Sequence, residues 1–231
     1  MAVKGFQGTS LLDFPGKIAS LIFFGGCNLT CPFCHNPSLV LDPEQYPDYP
    51  WEALDEELQQ RASFIDGVVV SGGEPTLDSE LLPFLRRVKG FGLQVKLDTN
   101  GLSPKLVRQA RAEDLLDFIA LDLKTSPFRY QELHDGPVNR AALTDTVQLL
   151  LEGGVDYEIR TTCVPGFVEQ DDIHAMGSLV QGAETWVLQQ FVPDYALADT
   201  CRELEPHSPQ VLKEFVQLAE GYVKRVHLRG L

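Results

Sequence analysis

The chain has 231 residues, 44% hydrophobic and 23% charged, ordinary proportions for a soluble globular protein and a length that fits one domain, residues 1–231. Its formal charge of −14, from 33 acidic against 19 basic residues, opposes a phosphate backbone and makes nucleic acid a poor partner. No run approaches the roughly 20 apolar residues that span a bilayer, and the first residues carry no secretory h-region. The expectation is a cytoplasmic protein with no membrane partner, in which clustered cysteines serve as metal ligands rather than disulfides.

A segment containing Gly8-Thr9-Ser10 leads into the run 19–24, which is apolar without alternation and predicts a strand covered on both faces. Gly25-Gly26 ends it and opens a cysteine-rich loop. The proline-rich piece 42–50 reads as a loop packed by its own aromatics. Trp51, Leu54, Leu58, Ala62 and Ile65 recur at helical spacing. A β-branched run at 67–71 is the second strand and ends in Gly72-Gly73-Glu74-Pro75, after which Asp78 is placed to cap a helix carrying Leu81, Leu82, Leu85 and Val88.

Residues 93–98 predict a third strand, followed by Thr99-Asn100-Gly101 and a helix opened by Ser103-Pro104. A fourth strand covers 118–122, with a helix over about 140–152 stopped by Gly153-Gly154. The fifth strand covers 157–164, the sixth 185–191, and Ser208-Pro209 opens a last helix before a terminal strand at 226–228. Six strand-helix alternations imply the α/β class: parallel strands with right-handed crossovers, in a partial (β/α)6 TIM-like barrel with an open side. In such architectures the ligand site lies at the carboxyl ends of the strands, and the motifs collect there.

Cys27, Cys31 and Cys34 have the spacing C-x3-C-x2-C. Three such thiolates can ligate three irons of a four-iron cluster and leave the fourth without a protein ligand. Spacing alone leaves two other readings open: a zinc site completed by His35 or Cys201, and a structural cluster with four protein ligands. Gly72-Gly73-Glu74-Pro75 joins backbone that can approach a ligand closely to a carboxylate suited to an ammonium group.

These residues resemble the radical S-adenosylmethionine enzymes. The C-x3-C-x2-C loop with Phe33 before the last cysteine carries the likeness, as does the Gly-Gly-Glu-Pro segment. Cys34-His35-Asn36-Pro37, Leu97-Asp98-Thr99-Asn100-Gly101, Leu121-Asp122-Leu123-Lys124 and Val164-Pro165-Gly166 are similar to the activating enzymes of glycyl radical enzymes, in particular the anaerobic ribonucleoside-triphosphate reductase activating group, with pyruvate formate-lyase activating enzyme as a relative.

The resemblance implies a [4Fe-4S] cluster on Cys27, Cys31 and Cys34, with S-adenosylmethionine bound at the open iron and contacted by Phe33, Cys34, His35, Gly72, Gly73, Glu74, Asp98, Thr99, Asp122, Leu123, Lys124 and Arg160. It further implies a monovalent cation held by Asp98, Thr99 and Asp122. The implied activity is reductive cleavage to a 5′-deoxyadenosyl radical that installs a glycyl radical on a partner enzyme, expected to be anaerobic ribonucleotide reductase, with a flavodoxin- or ferredoxin-type reductant. Other readings are a radical enzyme acting on a small molecule or another peptide, and a non-enzymatic iron-sulfur or zinc protein.

Gln189-Gln190-Phe191-Val192-Pro193 departs from the histidine that the pyruvate formate-lyase type carries after strand six, and no second cysteine-rich insertion suggests auxiliary clusters. Cys163 and Cys201 read as small buried or incidental thiols rather than ligands, in a strand and a loop. Asp171-Asp172 reads as helix-dipole compensation, and His134, His174, His207 and His227 as surface residues.

Overall fold

A computed structural model describes residues 3–231. The strands are β1 (Val3–Ser10), β2 (Ala19–Phe24), β3 (Gly67–Gly72), β4 (Gln94–Thr99), β5 (Phe118–Asp122), β6 (Asp156–Cys163), β7 (Thr185–Gln190) and β8 (Arg225–Arg229). The helices are α1 (Pro37–Leu41), α2 (Trp51–Arg61), α3 (Leu81–Gly90), α4 (Pro104–Ala112), α5 (Arg140–Leu151), α6 (Gln170–Leu179), α7 (Asp199–Arg202) and α8 (Pro209–Ala219). One sheet takes the strands in chain order from β1 to β8. The α/β class and the parallel strand-helix alternation are as expected, with β2 to β7 being the six strands read from the sequence. β1 is an addition: it pairs antiparallel with β2, and its buried and exposed positions mix in a way that an apolar-run reading passes over.

The chain divides into two compact units. The first takes residues up to Asn28, then Ser38–Thr99 and Lys105–Ile119. Here β2 and β3 pair in parallel from Ala19↔Gly67 to Phe24↔Gly72, and β3 continues onto β4. Val68, Val69 and Val70 are wholly buried, as strands covered on both faces require. Phe14, Ala19, Leu21 and Val69 form a core cluster against Phe23 and Phe118. α2 contributes Leu54 and Leu58, and α3 contributes Leu81, Phe84, Leu85 and Val88; each such side chain is stabilising by about 1.5–3 kcal/mol when fully buried. Asp78 accepts from the Glu80 amide just ahead of α3, so it shapes the entry to that helix without being its cap residue.

The second unit takes Leu29–Pro37, Asn100–Pro104 and Ala120–Leu231. β6, β7 and β8 pair in parallel. Trp186 is buried in β7, and its indole N–H donates to Thr161 Oγ1 at 3.0 Å. Ser208 caps α8 by accepting from the Val211 amide.

Three sequence expectations are corrected in this unit. Asp172 does more than compensate a helix dipole: it is 6% exposed, closes a capping box with Glu169 at the start of α6, and ion-pairs with Arg129 at 2.9 Å. His207 is no surface residue; its ring packs edge-on against Phe215 and Nε2 lies 3.0 Å from the Val168 carbonyl. Cys201 lies in α7 and is buried, not in a loop.

In the first unit, the end of β3 is locked to the loop before the cysteines. The Gly73 amide donates to Phe24 O and the Glu74 amide to Gly26 O, both at 2.8 Å. A Cβ on Gly73 would collide with the Gly26 carbonyl, and Gly72 has φ +115° with the Phe24 backbone against it. Gly73→Ala is expected to destabilise the fold by about 3 kcal/mol or more, since backbone on both sides cannot yield. Gly90→Ala, with open space at the end of α3, should be neutral or stabilising by up to about 1 kcal/mol. Urea unfolding of the two variants checks the contrast; equal midpoints would refute the close-approach argument.

Candidate active site

In the first unit, the strand ends carry Cys27, Gly72, Gly73, Glu74, Asp98 and Thr99. Glu74 is 2% exposed, and its Oε1 accepts from the Thr76 amide at 3.1 Å, from the Thr76 hydroxyl, and from Thr99 Oγ1 at 2.8 Å. Its carboxylate thus caps the short turn Pro75–Leu77 and ties β3 to β4. The space beside Gly72 and Gly73 is filled by the chain's own backbone. Asp98, at the end of β4, takes the ammonium of Lys96 on Oδ1 and accepts from Ser71 Oγ at 3.1 Å on Oδ2.

In the second unit lie Cys31, Phe33, Cys34, His35, Asp122, Leu123, Lys124 and Arg160. Cys31 and Phe33 are buried, Phe33 packing edge-on against Phe167 with ring centroids 5.1 Å apart. The His35 ring stacks on Phe191 at 6.1 Å. Asp122 ends β5 between two cations: Arg160 Nε donates to Oδ1 at 2.8 Å and Lys124 Nζ to Oδ2 at 3.0 Å. Leu123 is fully buried, with its amide donating to Arg160 O and its carbonyl accepting from Thr161 Oγ1.

Burial opposes ionisation of Asp122, but Arg160 and then Lys124 hold its carboxyl well below the usual carboxylate range. Burial likewise opposes the Lys124 ammonium, yet Asp122 and the neighbouring thiolates of Cys31 and Cys34 hold it above the ordinary lysine range. Tyr130 is wholly buried beneath this group, its hydroxyl accepting from the Lys124 amide at 3.0 Å. The Asn100-Gly101 turn is fixed separately: Asn100 Oδ1 accepts from the Leu102 amide at 3.0 Å, and Thr146 Oγ1 donates to Gly101 O at 2.6 Å.

The donor set fits an iron-sulfur cluster chemically. All five cysteines are free, and the Lys124 ammonium stands near two of the three in the loop, Cys31 and Cys34. Among the described residues, no three His, Cys, Asp or Glu side chains are gathered as ligands of a single metal ion. A cluster does not require this, because each thiolate takes a different iron. Cys163 is buried in β6, where desolvation pushes its thiol up to about 12, and Cys201 is pushed up by the same cause. Both behave as inert core thiols.

Sequence reasoning missed two groups. Lys96 is 1% exposed; the signal was its spacing from Asp98, two residues along a strand and so on the same face. Arg129, which joins Asp172, Glu132 and the Gly166 carbonyl, belongs to no motif and could be found only in the structure.

Residues 21–177 match the family described as the Radical SAM superfamily. A Methanocaldococcus jannaschii protein named as a glycyl-radical enzyme activating enzyme is 30% identical over 99% of this chain and 96% of its own length. The pyruvate formate-lyase 1-activating enzyme of Escherichia coli is 29% identical over 78% of this chain and 74% of its own. Among solved structures, Streptococcus suis SuiB bound to S-adenosylmethionine superposes with a TM-score of 0.68 at 16% identity, over 91% of this chain and 52% of SuiB. The chain therefore spans about half of SuiB, and the likeness shows the fold.

The Asp122 ion pairs carry a pH signature. Because the folded carboxyl stays ionised where an unfolded aspartate is protonated, its contribution is complete above an ordinary carboxyl pKa of about 4 and is lost as the pH falls below it. Asp122→Asn should cost on the order of 2 kcal/mol at neutral pH, less than a fully buried pair because the partners keep some solvent. The gap from wild type should narrow in acid. Urea unfolding across a pH series measures it, and a gap constant with pH would refute the ion-pair account.

Proposed function

Because the chain belongs to the radical S-adenosylmethionine superfamily, among the activating enzymes of glycyl radical enzymes, we propose that Cys27, Cys31 and Cys34 hold a [4Fe-4S] cluster and that the protein installs a glycyl radical on a partner enzyme. The observation that carries this reading is the likeness to a relative named for glycyl-radical activation over nearly the full length of both chains, beyond the cysteine loop alone. When bound on Cys27, Cys31 and Cys34, the cluster would supply one electron to S-adenosylmethionine, the chemistry that hydrogen removal from a glycine of the partner requires.

The chain's own residues bind and orient. Gly72 and Gly73 present strand-end backbone toward the methionine amino group. Glu74, held by Thr76 and Thr99, fixes the loop that carries them. Lys124 and Arg160 supply positive charge for the methionine carboxylate or the nucleoside, while Phe33, His35 and Leu123 exclude water around the ligand. Asp98 and Thr99 shape the end of β4, and Asp122 the end of β5. The whole chain, residues 1–231, serves as one catalytic domain in the cytoplasm. It receives its electron from a flavodoxin- or ferredoxin-type reductant and acts on anaerobic ribonucleotide reductase as its protein substrate.

Anaerobically reconstituted protein should bind about four irons, the content of one such cluster, and yield 5′-deoxyadenosine with dithionite and S-adenosylmethionine. Cys27→Ala, Cys31→Ala and Cys34→Ala should abolish the product, whereas Cys163→Ala and Cys201→Ala should keep it. Zinc uptake without iron would overturn the cluster assignment. Mixing with anaerobic ribonucleotide reductase should then give an oxygen-sensitive glycyl radical signal by electron paramagnetic resonance. Its appearance only with pyruvate formate-lyase, or cleavage with neither, would overturn the partner.

A further inference from the structure

We propose that Lys96 is a built-in cation, whose ammonium neutralises the strand-end carboxylate of Asp98 so that no monovalent metal ion is needed there. The fold family implies such an ion on Asp98, Thr99 and Asp122, and the residues of this chain do not fit one. Lys96 is 1% exposed and lies two residues before Asp98 on the same face of β4, with its ammonium on Oδ1. Ser71 Oγ donates to Oδ2 at 3.1 Å, so both oxygens of Asp98 are engaged by donors from the chain itself. Thr99 turns its hydroxyl to Glu74. Asp122, considered alone, already carries two cations, Arg160 on one oxygen and Lys124 on the other. A diffusing monovalent ion would have to displace a tethered ammonium at the first carboxylate and would meet surplus positive charge at the second.

A tethered charge also differs in how it responds to conditions. A bound ion is lost as its concentration falls, in proportion to mass action, whereas a covalently attached ammonium is always present at its site. The enzyme should therefore be indifferent to which monovalent salt surrounds it. The effect on S-adenosylmethionine rests on the function proposed above; the replacement of the ion by Lys96 does not.

Two measurements on the full chain test the inference. In the first, thermal unfolding is compared in potassium chloride and in tetramethylammonium chloride at equal ionic strength. Wild type should melt at the same temperature in both, while Lys96→Met should melt lower and be raised by potassium. In the second, S-adenosylmethionine binding to the reconstituted protein is measured in the same salts. Wild-type affinity should change by less than about twofold, and Lys96→Met should bind about tenfold more weakly without potassium and recover with it, the size of an ordinary coupling between sites. Wild-type melting or binding that strengthens about tenfold-equivalent with potassium would overturn the inference, as would Lys96→Met behaving like wild type in both salts. Should Lys96→Met fail to fold, the Lys96→Met, Asp98→Asn double variant removes both charges and should fold without responding to potassium; a potassium response in it would also overturn the inference. If wild type binds no S-adenosylmethionine in either salt, the proposed function fails, and the melting comparison still decides the role of Lys96.

Discussion

Two carboxylates at the ends of buried strands bring their own counter-charge, and the ion-pair chemistry of this protein depends on that constraint. Asp98 and Asp122 each meet it with a lysine two residues away along the chain, in mirrored sequences: Lys96-Leu97-Asp98 at the end of β4 and Asp122-Leu123-Lys124 at the end of β5. Within β4 strand geometry sets the period, because residues two apart share a face, while Lys124 lies just past the end of β5. The intervening leucines, Leu97 and Leu123, are both wholly buried. One short pattern therefore builds core and ion pair together. Breaking such a pair by removing one partner costs about 3–5 kcal/mol when it is fully buried, far above the value of a surface salt bridge.

The backbone imposes a second constraint in the first unit. Gly72 and Gly73 let the end of β3 approach Phe24 and Gly26 so closely that two amides reach carbonyls at 2.8 Å. The start of the cysteine loop is thereby fixed by main-chain hydrogen bonds, and Glu74 adds a buried carboxylate that gathers Thr76 and Thr99. In this structure the Gly-Gly-Glu-Pro segment is first a packing device. Any part it plays toward a ligand depends on that packing, since a side chain at either glycine would part β3 from the loop.

Much of this was legible in the sequence for identifiable reasons. Strands covered on both faces read as apolar runs, so β2 to β7 could be found with boundaries correct to a residue or two. β1 escaped because an antiparallel strand containing Gly5 and Gly8 offers no such run. The cysteine spacing and the motifs at the strand ends were visible as chemistry. What each carboxylate touches was not: a lysine ordinarily reads as a surface residue, and only the fold buries Lys96 to 1% exposure. Asp172 and His207 were misread for the same reason, since their partners Arg129 and Val168 are distant in sequence.

Net charge and local charge point in opposite directions. The chain as a whole carries −14, yet around Asp122 two cations face one carboxylate, and Lys124 also lies near Cys31 and Cys34. A negative net charge acts through long-range repulsion of other anions, which salt screens over about 8–10 Å. The interior cations act at hydrogen-bond range, where screening is weak. The overall charge therefore sets the long-range field, and Lys124 and Arg160 set the field at hydrogen-bond range around Asp122. At Asp98, Lys96 balances the carboxylate one for one, whereas at Asp122 the two cations Lys124 and Arg160 leave a local excess of positive charge.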